Sequence, residues 1–554
     1  MVWSWCFWWG KGPDVDDHQG GQSVSTADAA HHDADREHLH ELGYAQELKR
    51  GLGTFSNFAI SFSIISILAG GWTSYWLGIT YGGPLVVTVG WIIVGFFSLM
   101  VGMAMGEICS AYPTAGGLYY WSAKLARKNG AMWSWFTGWF NFLGQIGVIA
   151  SVDFALANYV AYVIGMYDSG FRGTKWTLLV IYFIVLGLHG LLNTFSVNIV
   201  KKMGDVSVWW HVGGVAVILA VLLVAPSAHR PVSYIFDYQN NSPWQGGIST
   251  VYAFFLGFLL AQYTITGFDA SAHVSEETVG ARVNAPKAIT RSIWISAIAA
   301  LIMNFAFLIA TPKDPETIKK ILAGGIVAPA ILIQTVLSSF WAKVLIIIST
   351  MGQFFCGLAS VTANSRMIYA FSRDGGLPFS NVWHKINPRT RTPTNSLWLG
   401  VVVSAVTGLI TLIQKDNYPV AFFALTGICV VGLYIAYVIP IFLRLRNPEF
   451  QQGPWNLGKW SQIVGWTAVV WVGFITILFF APLSNLWRWW NGDEVNSANF
   501  TAPLIVLSFI GIGLWWVASA RNWFKGPKVQ GSREELMAIE RELDALEHGQ
   551  ALPS

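Results

Sequence analysis

The stretch "QYTITGFDASAH", residues 262–273, places an aspartate and a histidine four residues apart inside an apolar run, "VYAFFLGFLLAQYTITGFDASAHV". That spacing puts Asp269 and His273 on one helix face. There they can pair or relay a proton; alternatively His273 already lies in water at the mouth of the protein. An ionisable side chain in hydrocarbon costs roughly 2.5–3.5 kcal/mol on insertion scales, so something must compensate. Asp153, in "IASVDFALANYV", raises the same question, as do Glu107, Asp205 and His211. Each is a functional candidate by default, and with several present some must be structural.

Glycine sets a second pattern. "SIISILAGGWTSYW" (63–76) puts Ala69, Gly70 and Gly71 in the middle of an apolar run, and "TITGFD" (264–269) does the same with Gly267. Each glycine costs a helix about 1 kcal/mol relative to alanine. Two Gly-interrupted segments at corresponding positions of two halves are the sequence pointer to a transporter built from inverted repeats. At such breaks freed N–H groups can hold a carboxylate and freed C=O groups an ammonium or a cation. Unwound backbone is tolerated at membrane depth only where it lines a protected cavity.

Other chemistries find little support. The four cysteines, Cys6, Cys109, Cys356 and Cys429, are scattered and form no CxxC, so neither a disulfide framework nor a metal knuckle is indicated. "HHDADREHLH" (31–40) can bind a metal, but a solvated stretch explains it more simply. No metal site, cofactor or catalytic residue is expected. An enzyme would need a nucleophile–base or metal constellation, and a channel a filter-like repeat or a ring of charges.

These residues sit on a chain of 554 residues, 54% hydrophobic and 12% charged, with mean hydropathy +0.48. Repeated apolar runs of about 20 residues match a bilayer, which predicts an all-α polytopic membrane protein embedded in a lipid bilayer. Twelve spans are expected from Thr54 onward. Most of the 34 Lys and Arg then fall on the side that holds both termini, and basic loops face the cytoplasm. With a net charge of only +4, no nucleic-acid partner is suggested. The expected organisation has four parts. Residues 1–53 are a largely disordered cytoplasmic tail, its tryptophan-rich start suited to a membrane interface. Residues 54–520 are the core, with repeat one at about 54–225, repeat two at about 249–446 and two extra helices at about 460–520. Residues 521–554 are a cytoplasmic tail, in which Ser532 and Glu535 form a capping box before a short amphipathic helix.

Three motifs carry a family resemblance: "EICSAYPTAGGLYYW" (107–121), "GFDASAHVSEET" (267–278) and "NSRMIYAFSRDGGLP" (364–378). Together they resemble the amino acid–polyamine–organocation superfamily, in its amino acid/choline branch that includes GABA permeases. The likeness runs from about Leu42 to about Pro527. It implies a leucine-transporter-like fold, a five-plus-five inverted repeat with two further helices. It also implies a secondary transporter in the plasma membrane for a small amino acid or GABA, with choline or a polyamine as runner-up. The substrate carboxylate would meet the backbone at Ala69, Gly70 and Gly71. The amino group would face Tyr263, Thr264, Thr266 and Gly267, with Tyr263 as aromatic gate and Phe268 as the nearby alternative. Asp269 falls where some members place an acid tied to gating or proton coupling; Asp153 and His273 join it as coupling candidates. Lys201 and Lys202 lie nearer the surface than the coupling lysine of some members. Proton symport is the expected mode. Sodium, held by Ser360 and Thr362, and exchange are the alternatives.

Overall fold

The computed structural model describes residues 26–195, 197–242, 245–413, 420–480 and 501–547. Among these the regular elements are helical, and two isolated bridges, Leu52 with Thr278 and Asn387 with Thr392, are the extended contacts. Ten of the described helices are long and apolar enough to cross a membrane. The segment from Thr54 to Tyr81 falls short because it is broken, into Thr54–Ile64, Gly70–Thr73 and Tyr75–Tyr81. Thr394–Gly408 has 15 residues and runs on as a tighter turn at Leu409–Ile413.

The Gly130–Tyr167 helix is the axis of the bundle. It packs along Val420–Leu445 at the closest approach that small residues permit. A Cβ on Gly432 would lie 3.1 Å from the Gly144 backbone, and one on Gly147 would lie 2.9 Å from the Cys429 backbone nitrogen. In lipid no hydrophobic effect drives helices together, so such close packing does. The Ser339–Arg373 helix covers another side of the same axis.

The described part of the N-terminal tail is ordered, and the C-terminal tail carries a helix. Thr26–Glu41 is helical, and Leu39, Tyr44, Ala45, Leu48 and Leu52 are buried. A few apolar residues, diluted among Asp, Glu and His, dock the segment on the bundle. Burying each large one contributes about 1.5–3 kcal/mol, more than its polar neighbours suggest. The tryptophan-rich start lies outside the described residues. In "HHDADREHLH", His38 bonds Glu41 and the Ala111 carbonyl, and His40 bonds the Glu540 carboxylate at 2.7 Å. Glu540 belongs to the C-terminal helix Arg533–Glu547. That helix opens with Ser532 and Glu535 exchanging backbone hydrogen bonds of 2.7 and 3.4 Å. The two tails therefore lock together on one end of the bundle, the tail side.

Candidate functional site

Both glycine-interrupted segments unwind. The first is non-helical around Ile65–Ala69, with Ala69 at φ −102°, ψ −81°. The second runs as Gly247–Leu256 and Leu259–Thr264, then opens at Ile265–Asp269 before the single turn Ala270–His273. Gly267 takes φ +89°, a region that costs other L-residues about 1–2 kcal/mol. The breaks face each other. A Cβ on Gly70 would lie 2.9 Å from the Thr264 Cα.

Freed backbone groups are met by neighbouring side chains, as membrane depth requires. Ala69 donates its N–H to Ser66 Oγ at 3.0 Å, and the Gly70 N–H goes to the Ser66 carbonyl at 2.9 Å. Ser66 Oγ bonds His211 Nε2 at 2.6 Å, and His211 Nδ1 lies 2.8 Å from the Ser207 carbonyl. A carbonyl only accepts, so Nδ1 carries the proton and Nε2 accepts from Ser66. The Leu68 carbonyl accepts from Ser349 (2.8 Å) and the Ile64 carbonyl from the Cys356 thiol (3.3 Å). In the second break Ile265 O accepts from Tyr434 (3.0 Å) and Phe268 O from Ser61 (3.1 Å).

A cavity lies between the breaks, walled by Ile64, Gly70, Val148, Val152, Tyr263, Thr264, Thr266, Cys356 and Cys429. Four sequence candidates, Gly70, Tyr263, Thr264 and Thr266, thus come together there. Tyr263 donates to Ser151 Oγ at 2.9 Å, and its ring meets Phe422 edge-on at 5.8 Å. The others stand back from it. Ala69 is buried, Gly71 backs onto Met303, Gly267 onto Ile64, and Phe268 packs between the rings of Tyr434 and Tyr437. Val148 and Val152 are not among the sequence candidates, and Cys356 and Cys429 stand out there only as scattered cysteines. Only the i, i+4 spacing of the two valines hinted at a shared face. Ser360 and Thr362 turn away, to the Cys356 carbonyl and to Asn193.

The acids form separate clusters. Asp269 is fully buried and accepts from Tyr437 (2.6 Å), from Gln145 (2.9 Å) and, across 3.2 Å, faces His273 Nε2. His273 is buried too, not at an aqueous mouth. Asp153 pairs with His189 Nδ1 at 3.1 Å between two helices; His189 carried no signal in the sequence. Glu107 is a structural acid. It holds Arg444 at 2.9 Å and ties down the 452–461 connection through Gln452, Leu457 and Ser461. Asp205 meets Ser56 near the start of the first segment.

The second segment ends in two buried ion pairs on the tail side. Arg366 grips Glu277 with two bonds, 2.7 and 3.2 Å, and Arg373 grips Glu276 at 3.0 and 3.2 Å. The Glu277 carbonyl receives the N–H groups of Gly51 and Leu52. Asp374 accepts from Tyr44 (2.9 Å), Tyr119 (2.8 Å) and the Lys528 backbone (3.1 Å). Burial holds its carboxyl above the usual range, against the pull of Arg373.

A family profile described as amino acid permease matches residues 52–519. Amino-acid permease BAT1 of Arabidopsis thaliana is 40% identical over 513 residues, covering 89% of this chain and 96% of the relative. The GABA-specific permease of Saccharomyces cerevisiae is 30% identical, covering 93% and 90%. A putative polyamine transporter of Candida albicans is 28% identical, covering 92% of each.

Proposed function

The chain belongs to the amino acid permease family, and on that premise we propose that it moves a small amino acid or GABA by alternating access, coupled to protons. It is a transporter, not an enzyme. The proposal includes twelve spans, ten long helices plus the broken Thr54–Tyr81 segment and Thr394–Gly408, in a five-plus-five inverted repeat with two further helices. The observation that carries it is the meeting of the two breaks around one cavity, with Gly70 against Thr264 and the hydroxyls of Tyr263 and Thr266 beside them.

The cavity lining favours a zwitterion over a polyamine. None of its residues is charged. Backbone groups and hydroxyls can serve both ends of an amino acid, whereas a polyamine needs carboxylates, and Asp269 and Asp153 are engaged in their own pairs. Proton coupling is favoured over sodium because buried carboxyls flank the breaks, while Ser360 and Thr362 point elsewhere. The test is uptake into proteoliposomes of a labelled amino acid panel with GABA, choline and a polyamine, under imposed proton and sodium gradients. Amino acid or GABA uptake with proton entry is expected, and proton entry should vanish in Asp269→Asn. Transport that ignores the proton gradient and follows sodium would overturn the coupling.

We propose the plasma membrane as its location, as the family resemblance implies, and, from the bias of basic residues, both termini and the tail-side ion pairs in the cytoplasm. In intact cells an impermeant thiol reagent added outside should leave a cysteine at the exposed position Lys128 (Lys128→Cys) unlabelled, and label it once the membrane is permeabilised. Efficient labelling in intact cells would reverse the orientation.

A further inference from the structure

Polar side chains stitch the first break to the Val197–Val224 helix. Ser63 and Ser66 lie about one turn apart, at the end of Thr54–Ile64 and just beyond it, and Ser207 and His211 lie one turn apart on the facing helix. Ser63 Oγ bonds Ser207 Oγ at 2.7 Å, and Ser66 Oγ bonds His211 Nε2 at 2.6 Å. All of them are buried, and the imidazole meets the Phe62 ring edge-on at 5.8 Å. None borders the cavity, yet Ser66 holds the break through both of its oxygens. Its hydroxyl accepts from the Ala69 N–H at 3.0 Å, and its carbonyl accepts from the Gly70 N–H at 2.9 Å. Gly70 is the wall residue that stands against Thr264.

The acceptors fix where the protons sit. His211 Nδ1 lies 2.8 Å from the Ser207 carbonyl, which only accepts, so Nδ1 carries the proton. The opposite tautomer would set two lone pairs against each other across that distance. Nε2 is therefore a bare acceptor, and the Ser66 hydroxyl gives it its single proton. That leaves the Ser66 Oγ lone pairs for the Ala69 N–H. Donation and acceptance meet on one oxygen atom, so each bond strengthens the other. Without an acceptor at Nε2, the Ser66 hydroxyl turns to the ordinary alternative of a serine near a helix end, a carbonyl one turn back. Its lone pairs then swing away from Ala69.

We propose that His211 is a positioning residue for the substrate site. As a hydrogen-bond acceptor it fixes the Ser66 hydroxyl. Ser66 fixes the Ala69–Gly70 turn, and that turn sets the width of the cavity between Gly70 and Thr264. His211 acts as a neutral imidazole throughout, carries no coupling proton and touches no substrate. What the site needs from it is one acceptor lone pair at a fixed place, on a ring that Ser207 and Phe62 hold still. A glutamine at this position can present its carboxamide oxygen in place of Nε2. A leucine fills similar space and presents no acceptor.

This role rests on the cavity being the substrate site, and one arm of the test needs no substrate. Amide hydrogen exchange across the first break is followed by mass spectrometry at one fixed pH, on the full-length protein in detergent. His211→Leu should speed exchange there about tenfold, the factor that about 1.4 kcal/mol of lost hydrogen bonding gives. His211→Gln should exchange like the parent, and Ser66→Ala like His211→Leu. Adding His211→Leu to Ser66→Ala should change nothing more, because both remove the same bond. The second arm is uptake into proteoliposomes of the amino acid that the panel identifies. His211→Leu should raise KM about tenfold and leave the maximal rate per reconstituted protein within about twofold, as loss of ground-state binding does. His211→Gln should keep the parent KM. Parent-like exchange in His211→Leu, or equal damage from His211→Gln, overturns the positioning role whether or not the panel yields a substrate. Faster exchange with an unchanged KM overturns it too, because the turn then does not set the cavity. Faster exchange in a protein that moves no panel member supports the fastening of the break and sinks the substrate reading instead. Should His211→Leu not fold, Ser66→Ala carries both arms, and parent-like exchange or KM there overturns the proposal.

Discussion

Gly267→Leu should reduce uptake at least about tenfold while the protein still inserts and folds, the tenfold corresponding to about 1.4 kcal/mol. Two penalties combine at this residue. Its φ of +89° costs a leucine about 1–2 kcal/mol. Any Cβ there also runs into the Ile64 side chain, at the end of the first helix piece and on the cavity wall. The strain must be relieved by moving one break against the other, which displaces Thr266 and Tyr263 from their places. Gly70→Leu should act alike from the opposite side, because its Cβ meets the Thr264 backbone, which cannot rotate away. Uptake, with surface abundance and size-exclusion profile as controls, checks both. Normal transport by Gly267→Leu would remove the basis for placing the site at the breaks.

Arg366→Met should lower the melting temperature sharply, and adding Glu277→Leu should restore more than half of the loss. Arg366 is 1% exposed and Glu277 is 1% exposed. They share two hydrogen bonds, and Arg366 also donates to Ser365 Oγ. Removing one partner of such a pair strands a buried charge at a cost of about 3–5 kcal/mol. That is a large part of a total stability of about 5–15 kcal/mol. Removing both leaves no orphan, and apolar replacements of similar volume are often neutral. Thermal unfolding in detergent of the parent, the single and the double variant reads this out. A single variant that melts like the parent would show that the buried pair does not stabilise the fold.

Much of this protein is local information. The apolar runs are properties of the chain itself, and only a helix satisfies its own backbone in lipid. The breaks are local too, since Gly70 and Gly267 weaken the helix wherever it packs. The i, i+4 pairing of Asp269 with His273 needs no more than a helical turn.

What tertiary structure decided is which groups those residues meet. Tyr437, which donates to Asp269, is 168 residues away in sequence, and Gln145 is 124 residues away. Asp153 reads as an isolated acid until the fold sets His189 against it. The cavity walls at Val148, Val152, Cys356 and Cys429 look like any apolar helix face, because their role depends on the neighbour that faces them. The 26–53 segment reads as a solvated tail because its few apolar residues are diluted by charge. It becomes structure because Leu39, Tyr44, Leu48 and Leu52 find a surface to bury on, and because Arg50 and Gln46 bond the 276–278 backbone. Local chain chemistry sets where a helix must form or fail. Partners that satisfy a buried charge are chosen by packing, and packing is a property of the whole bundle.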